Sequence, residues 1–286
     1  MASSFFVVPQ WQGSSSSRAM QLVDGATAIG GDLPSSSTVF VPIPPGAGND
    51  QGSGVRRLSS VETVRDELQR ALATAHGTPI VIGGDCGVEL AAITHAASSH
   101  KLAVVWFDAH GDLNSPQTSP SGAFHGMVLR TLLGDGPATL VPEVPLDPAR
   151  VILAGTRALD SGELEFIADS SIRTLTPAEL TPGVLASALR ECGADAVYLH
   201  IDLDVIDPGE FGALDYPEPF GVTVTELIEL IHEAKATLPL AGAGLTEFSP
   251  RSPEQAEDEL PTILRIIGAV ASDRPPRAPS PGNNVA

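Results

Sequence analysis

Basic residues are scarce in this chain. Lysine and arginine number 16 against 35 aspartates and glutamates, for a formal net charge of −19. A surface that acidic argues against nucleic acid or an anionic membrane face as partner. Cysteine is nearly absent: Cys86 and Cys192 are the only two, too few for a disulfide framework. No uninterrupted apolar run approaches a membrane span. The opening Met1-Ala2-Ser3-Ser4-Phe5 has no basic residue ahead of an apolar segment, so no signal peptide is expected, and the default compartment is the cytoplasm. Internal repeats are missing, as is any stretch with the composition of a hinge. What is present is the balance of a globular chain: 286 residues, 42% hydrophobic and 18% charged. That suits one large α/β domain or two small ones, with a substantial core.

Short apolar runs alternate with helical stretches throughout. Strands are expected at 5–8, 39–43, 78–82, 102–107, 151–154, 172–175, 197–204 and 240–245. Ser59 and Glu62 have capping-box spacing and open a helix to about Ala75, with Val64, Leu68 and Leu72 on one face. Further helices are expected at 88–98, 127–133, 162–168, 176–192, 223–236 and 254–271. Breaks are expected at Pro182-Gly183, and a break or first-turn position at Pro261. Residues 10–37 read as loop with at most one helical turn. This alternation implies a mostly parallel sheet covered on both faces, a three-layer α/β/α sandwich. One catalytic domain is expected over 1–272, with a disordered tail at 273–286 rich in Pro, Asn, Gly and Arg.

Two strands end in acids. The run Leu102 to Phe107 reads as a buried parallel strand and leads straight into Asp108-Ala109-His110-Gly111-Asp112. In extended chain, residues i, i+2 and i+4 share one side, so Asp108, His110 and Asp112 converge just beyond the strand, where open parallel sheets bind ligands. The run Val197 to Asp204 repeats the pattern, with His200, Asp202 and Asp204 on one face. Solvated loop acids are the plain alternative. Two such strands in one chain favour metal, because four carboxylates cannot stay ionised close together without cations to offset them.

Gly83-Gly84-Asp85, then Asp-Ala-His-Gly-Asp, then Ser121-Gly122-Ala123-Phe124-His125-Gly126, then Asp202-Leu203-Asp204-Val205-Ile206-Asp207-Pro208, then a strand ending at Glu247 resembles the ureohydrolases, the family of arginase, agmatinase and formiminoglutamase. The match is collinear over nearly the whole chain. The resemblance implies an arginase-like α/β/α fold, a homo-oligomer (trimer or hexamer), and two divalent ions, manganese in the family. It implies hydrolysis of a C–N bond in a guanidino or formimino small molecule by a metal-bridging hydroxide. Carried over by position, Asp108 and Asp202 would bridge both ions, Asp112 would bind the first ion and hydrogen-bond the hydroxide, and His110 and Asp204 would bind the second. His125 matches the catalytic histidine and Glu247 the carboxylate that grips the guanidinium. Asn114, Ser121 and Asp160 match positions that contact the far end of the substrate, and Glu163 an outer position. Taken singly, His125 is also consistent with an ordinary polar histidine, and Glu247 with a capping or ion-pair group.

Three positions depart from the family pattern. Cys86 stands where the family has a metal-binding histidine. Its place at a helix start lowers a thiol's pKa, and a thiolate suits zinc or iron better than manganese. A packed, non-ligating thiol is the other reading. Ala123 stands where an asparagine helps read the α-carboxylate of arginine. The loop after Asp207-Pro208 is shorter and lacks Gly-Thr-Pro. Two alternatives stay open: a metal-depleted, non-catalytic relative, and a one-zinc amide hydrolase of the deacetylase kind.

Overall fold

The computed structural model describes residues 3–272; the tail 273–286 and Met1-Ala2 lie outside the described residues. Eight strands, all parallel, form one sheet in the order β2-β1-β3-β8-β7-β4-β5-β6. They are β1 (Ser3–Val8), β2 (Thr38–Phe40), β3 (Thr78–Gly83), β4 (Leu102–Phe107), β5 (Val151–Ala154), β6 (Arg173–Leu175), β7 (Ala196–Asp202) and β8 (Leu240–Thr246). The eight α-helices are α1 (Met20–Asp32), α2 (Leu58–Leu72), α3 (Glu89–Ala97), α4 (Val128–Leu132), α5 (Ser161–Ala168), α6 (Pro182–Glu191), α7 (Val224–Thr237) and α8 (Pro253–Ala271).

The period-two alternation of the strands divides the core into two layers. Ala103, Val105 and Phe107 of β4, with Val197, Leu199 and Ile201 of β7, pack beneath α1, α6, α7 and α8. Leu102, Val104 and Trp106, with Ala196 and Tyr198, pack beneath α2, α3 and α4. Buried on both faces, these strands carry apolar residues at nearly every position, as parallel strands must.

Four local expectations are corrected. Residues 20–32 form α1 rather than loop, because Leu22, Ala26 and Ile29 make a buried stripe in a segment otherwise diluted by Gly and polar residues. The Ser59/Glu62 capping box does not form. Helix α2 starts at Leu58 behind Arg57, at φ 57°; Ser59 Oγ instead accepts from Asn49 N at 2.9 Å and Glu62 accepts from Gln51 Nε2 at 2.7 Å. Pro182 does not break a helix but begins α6, in the first turn where its missing N–H costs nothing, behind the cap Thr181. Pro261 lies inside an unbroken α8; it is exposed, and buried Ile263, Ile266, Ile267 and Val270 hold the helix on the sheet.

The register positions the next feature. β3, β8, β7 and β4 are neighbours, with Ile82 opposite Leu245, Asp202 opposite Thr246, and Phe107 opposite Ile201. The four segments that leave these strands therefore start side by side: Gly84 to Cys86, Glu247, Asp202 to Asp204, and Asp108 to Asp112. Gly84 makes the first turn possible. Its N–H donates to Val8 O and its carbonyl accepts from Glu247 N, and a Cβ there would lie 1.9 Å from Gln10 O. Gly84→Ala should therefore destabilise the fold by about 1–3 kcal/mol, the usual cost of overpacking. Urea unfolding measures this, and an unchanged midpoint contradicts the packing account.

Candidate metal centre

Asp108 is fully buried at the end of β4. One carboxylate oxygen accepts from His110 N at 2.6 Å and the other from Trp106 Nε1 at 3.0 Å. Asp202 ends β7 and accepts from Asp204 N at 2.8 Å, which folds Leu203–Val205 into one 3-10 turn and turns Asp204 toward β4. There Asp204 accepts from Ala109 N at 3.0 Å and lies 2.9 Å from His110 Nδ1. Cys86 Sγ lies 3.2 Å from Asp202 Oδ2 and 3.3 Å from Thr246 Oγ1.

Two ligand groups result, sharing Asp108. In one, atoms of Cys86, Asp108, His200 and Asp202 all lie within 4.8 Å of one another; in the other, atoms of Asp108, His110 and Asp204 do so. Asp112 belongs to neither group. It is reached not by strand alternation but by a left-handed residue, φ 50°, as is Glu247 at φ 65°. Non-glycine residues in that region store strain and cluster at functional sites.

The electrostatics of these side chains suit a bound cation. Asp112 Oδ2, His200 Nε2 and Glu247 Oε2 are buried without a hydrogen-bond partner, which buried polar atoms rarely are. Burial, reinforced by neighbouring carboxylates, pushes Asp112 and Asp202 well above the usual range and raises Asp204. Burial would raise Asp108 too, but the neighbouring His110 and His200 hold it low. Oxygen-rich donors with imidazole suit manganese, and Cys86 adds a softer donor. The expected low-pKa thiol is not found: burial first, then Asp202, Asp112, Glu247 and Asp108, push Cys86 well above its ordinary value. The start of a short 3-10 turn at Cys86 cannot outweigh that much negative charge.

Above the two groups opens a pocket of about 190 Å³, lined in part by His110, Asp112, Asn114, Ser121, His125, Asp160, Glu163 and Glu247. No lysine or arginine lines it. His125 Nδ1 lies 3.4 Å from Glu247 Oε1. Burial lowers the imidazole, but the Glu247 contact more than reverses this, so His125 sits above its ordinary value. Glu247 also stays high because burial outweighs what His125 gives back. At the rim Asn114 Nδ2 donates to Asp160 at 2.8 Å. Glu163 accepts from Leu113 N and Asp160 N, supporting the two segments that carry these groups.

Sequence reasoning passed over several participants. Tyr216 stands in the irregular loop, its ring 5.3 Å from that of His125 and its hydroxyl 2.9 Å from Ser15 Oγ; nothing in its surroundings marks it. His200 had the right face, and its position made it only a less favoured candidate to complete the shell of an ion that leaves Cys86 unbound. Glu89 could have been found: it is a lone acid opening the apolar run Leu90 to Ile93, and it is fully buried.

Comparison with known proteins agrees with this geometry. A family model described as the arginase family matches residues 13–269. An arginase of Staphylococcus aureus is 32% identical over 215 residues, 69% of this chain and 70% of its own. An arginase of Bacillus caldovelox is 32% identical over 220 residues, 71% and 73% of the two chains. The solved arginase of Entamoeba histolytica, in complex with L-ornithine, aligns with a TM-score of 0.83 at 25% identity over 94% of this chain and 97% of that one. The B. caldovelox arginase structure aligns with 0.81 at 27% identity over 96% and 99%.

The raised carboxylates set a pH dependence. An acid whose pKa is higher folded than unfolded binds more protons in the native state, so stability falls as pH rises from the unfolded pKa toward the folded one. For Asp112 and Asp202 this begins near the ordinary aspartate value, about pH 4, and extends upward. A divalent ion takes the place of those protons, so its stabilising effect grows with pH. Added manganese should raise the melting temperature more at about pH 8 than at about pH 6, and should release protons detectable as buffer-dependent heats. A pH-independent shift contradicts this.

Proposed function

The chain belongs to the arginase family, and from that premise we propose that it hydrolyses a C–N bond in a small cationic guanidino or amidine compound, using two divalent ions. The observation that carries this reading is the pair of ligand groups joined at Asp108 beneath a pocket walled by carboxylates. Manganese is the proposed ion, with zinc or iron an alternative at the group that contains Cys86.

When bound, such ions supply Lewis acidity that makes water a nucleophile near neutral pH. The chain's own residues do the rest. Asp108, His110, Asp202 and Asp204 hold the ions, and Asp112, with its free buried oxygen, orients the water. Glu247 has one oxygen near His125 and one unpartnered, so it can take the N–H groups of a planar cation and hold its carbon over the nucleophile. His125, protonated more readily than a free imidazole, gives its proton to the leaving amine. Asn114, Ser121 and Asp160 read the far end of the substrate.

If Asp108 serves both ions, Asp108→Asn should lose both together and reduce activity more than about a hundredfold. Elemental analysis of bound metal alongside product release checks this; wild-type protein holding one ion or none, or full activity after chelation, overturns the two-ion reading.

Substrate preference follows from the rim. A carboxylate there would meet Asp160 and no lysine or arginine among the described residues, and Ala123 offers only a buried methyl group. A hydrogen bond of that kind is worth about 1–3 kcal/mol, or about ten- to a hundredfold. L-arginine should therefore show a lower kcat/KM than another guanidino or formimino compound. A panel including L-arginine, agmatine and formiminoglutamate, read by urea or formamide release, decides; L-arginine at the head of the panel overturns the argument.

A further inference from the structure

His200 is the residue in the metal centre that no positional match accounts for. It lies on β7, on the face shared with Tyr198 and Trp106, and its side chain is fully buried. Its ring stacks on Trp106 at 3.7 Å between centroids. Nδ1 lies 3.1 Å from Glu89 Oε1, and the other Glu89 oxygen accepts from Tyr198 Oη at 2.6 Å. A carboxylate accepts only, so Nδ1 carries the proton in this contact, which leaves Nε2 as the ring atom that can offer a lone pair. That atom is buried without a hydrogen-bond partner.

We propose that His200 is a metal ligand through Nε2, completing the group of Cys86, Asp108 and Asp202, with Glu89 fixing its tautomer and orientation. The proposal rests on the two-ion reading and adds to it the donor that the change from histidine to Cys86 removes. Nε2 stands 3.7 Å from Asp108 Oδ2. That is too long for a hydrogen bond, and Asp108 Oδ2 already accepts from Trp106 Nε1. Two ligand atoms about 2.0–2.2 Å from one ion lie about 3–4 Å apart, which matches. A histidine that gives its second N–H to a carboxylate is the usual arrangement around bound metals.

The backbone is adapted to the same end. Gly244 of β8 stands opposite His200, and a Cβ on Gly244 would lie 1.6 Å from Glu89 Oε1. The missing side chain is what lets a helix carboxylate reach the histidine across the sheet.

The test uses the full chain loaded with cobalt. Equilibrium dialysis counts the ions and gives their affinities, and X-ray absorption counts the imidazoles around them. Wild-type protein should bind two cobalt ions with two imidazoles, from His110 and His200. His200→Gln should keep one tight ion and bind the other at least about tenfold more weakly, and adding Cys86→His to that variant should restore it. Two ions with a single imidazole in the wild type overturn the inference, whether or not the variant folds. So does His200→Gln binding both ions with unchanged affinity. One ion or none in the wild type fails the two-ion reading instead.

Discussion

Mutual repulsion among buried carboxylates governs this protein. Asp108, Asp112, Asp202, Asp204 and Glu247 are all buried at the ends of three adjacent strands. Burial costs each of them hydration, and proximity adds to the cost. The surroundings answer with what positive or polarised groups they have: His110 and His200 against Asp108, His125 against Glu247, and backbone N–H groups on Asp108, Asp202 and Asp204. These do not suffice, and the unpartnered oxygens of Asp112 and Glu247 record the shortfall. The cores above and below the sheet, and the strained backbone at Asp112 and Glu247, hold the acids together in spite of their repulsion. The arrangement thus suits cations without further rearrangement of these side chains.

Much of this was legible in the sequence, for a simple reason. A strand buried on both faces must be apolar, so an acid at its end stands out, and Asp108 and Asp202 mark themselves. Strand order could not be read. Nothing in residues 240–246 says that this strand lies between β3 and β7, yet that placement brings Glu247 beside Cys86. The convergence of Asp112 was inferred from strand alternation and is instead achieved by a left-handed turn. The Ser59/Glu62 spacing misled because both side chains found partners in the preceding loop. Helix α1 was obscured because its buried stripe is carried by few large residues.

Networks across layers were the least legible. Glu89 on α3, Gly244 on β8 and His200 on β7 are far apart in sequence and unremarkable one at a time. They form one unit only when three elements are stacked, the glycine making room for the carboxylate that meets the imidazole. Single-residue patterns do not carry that information, because the property that matters is a distance between segments.

The position of β8 has a consequence for how the molecule is made. It is the last strand among the described residues and it sits in the middle of the sheet, between β3 and β7. Without it the sheet would divide into two pieces, β2-β1-β3 and β7-β4-β5-β6, each with an unpaired and apolar inner edge. The candidate metal donors are divided in the same way: Cys86 leaves the first piece, while Asp108, His110, His200, Asp202 and Asp204 belong to the second. Closure of the sheet therefore depends on contacts distant in sequence, the slow kind. A chain interrupted shortly before this strand would leave two open edges at once, the kind of surface from which aggregation starts.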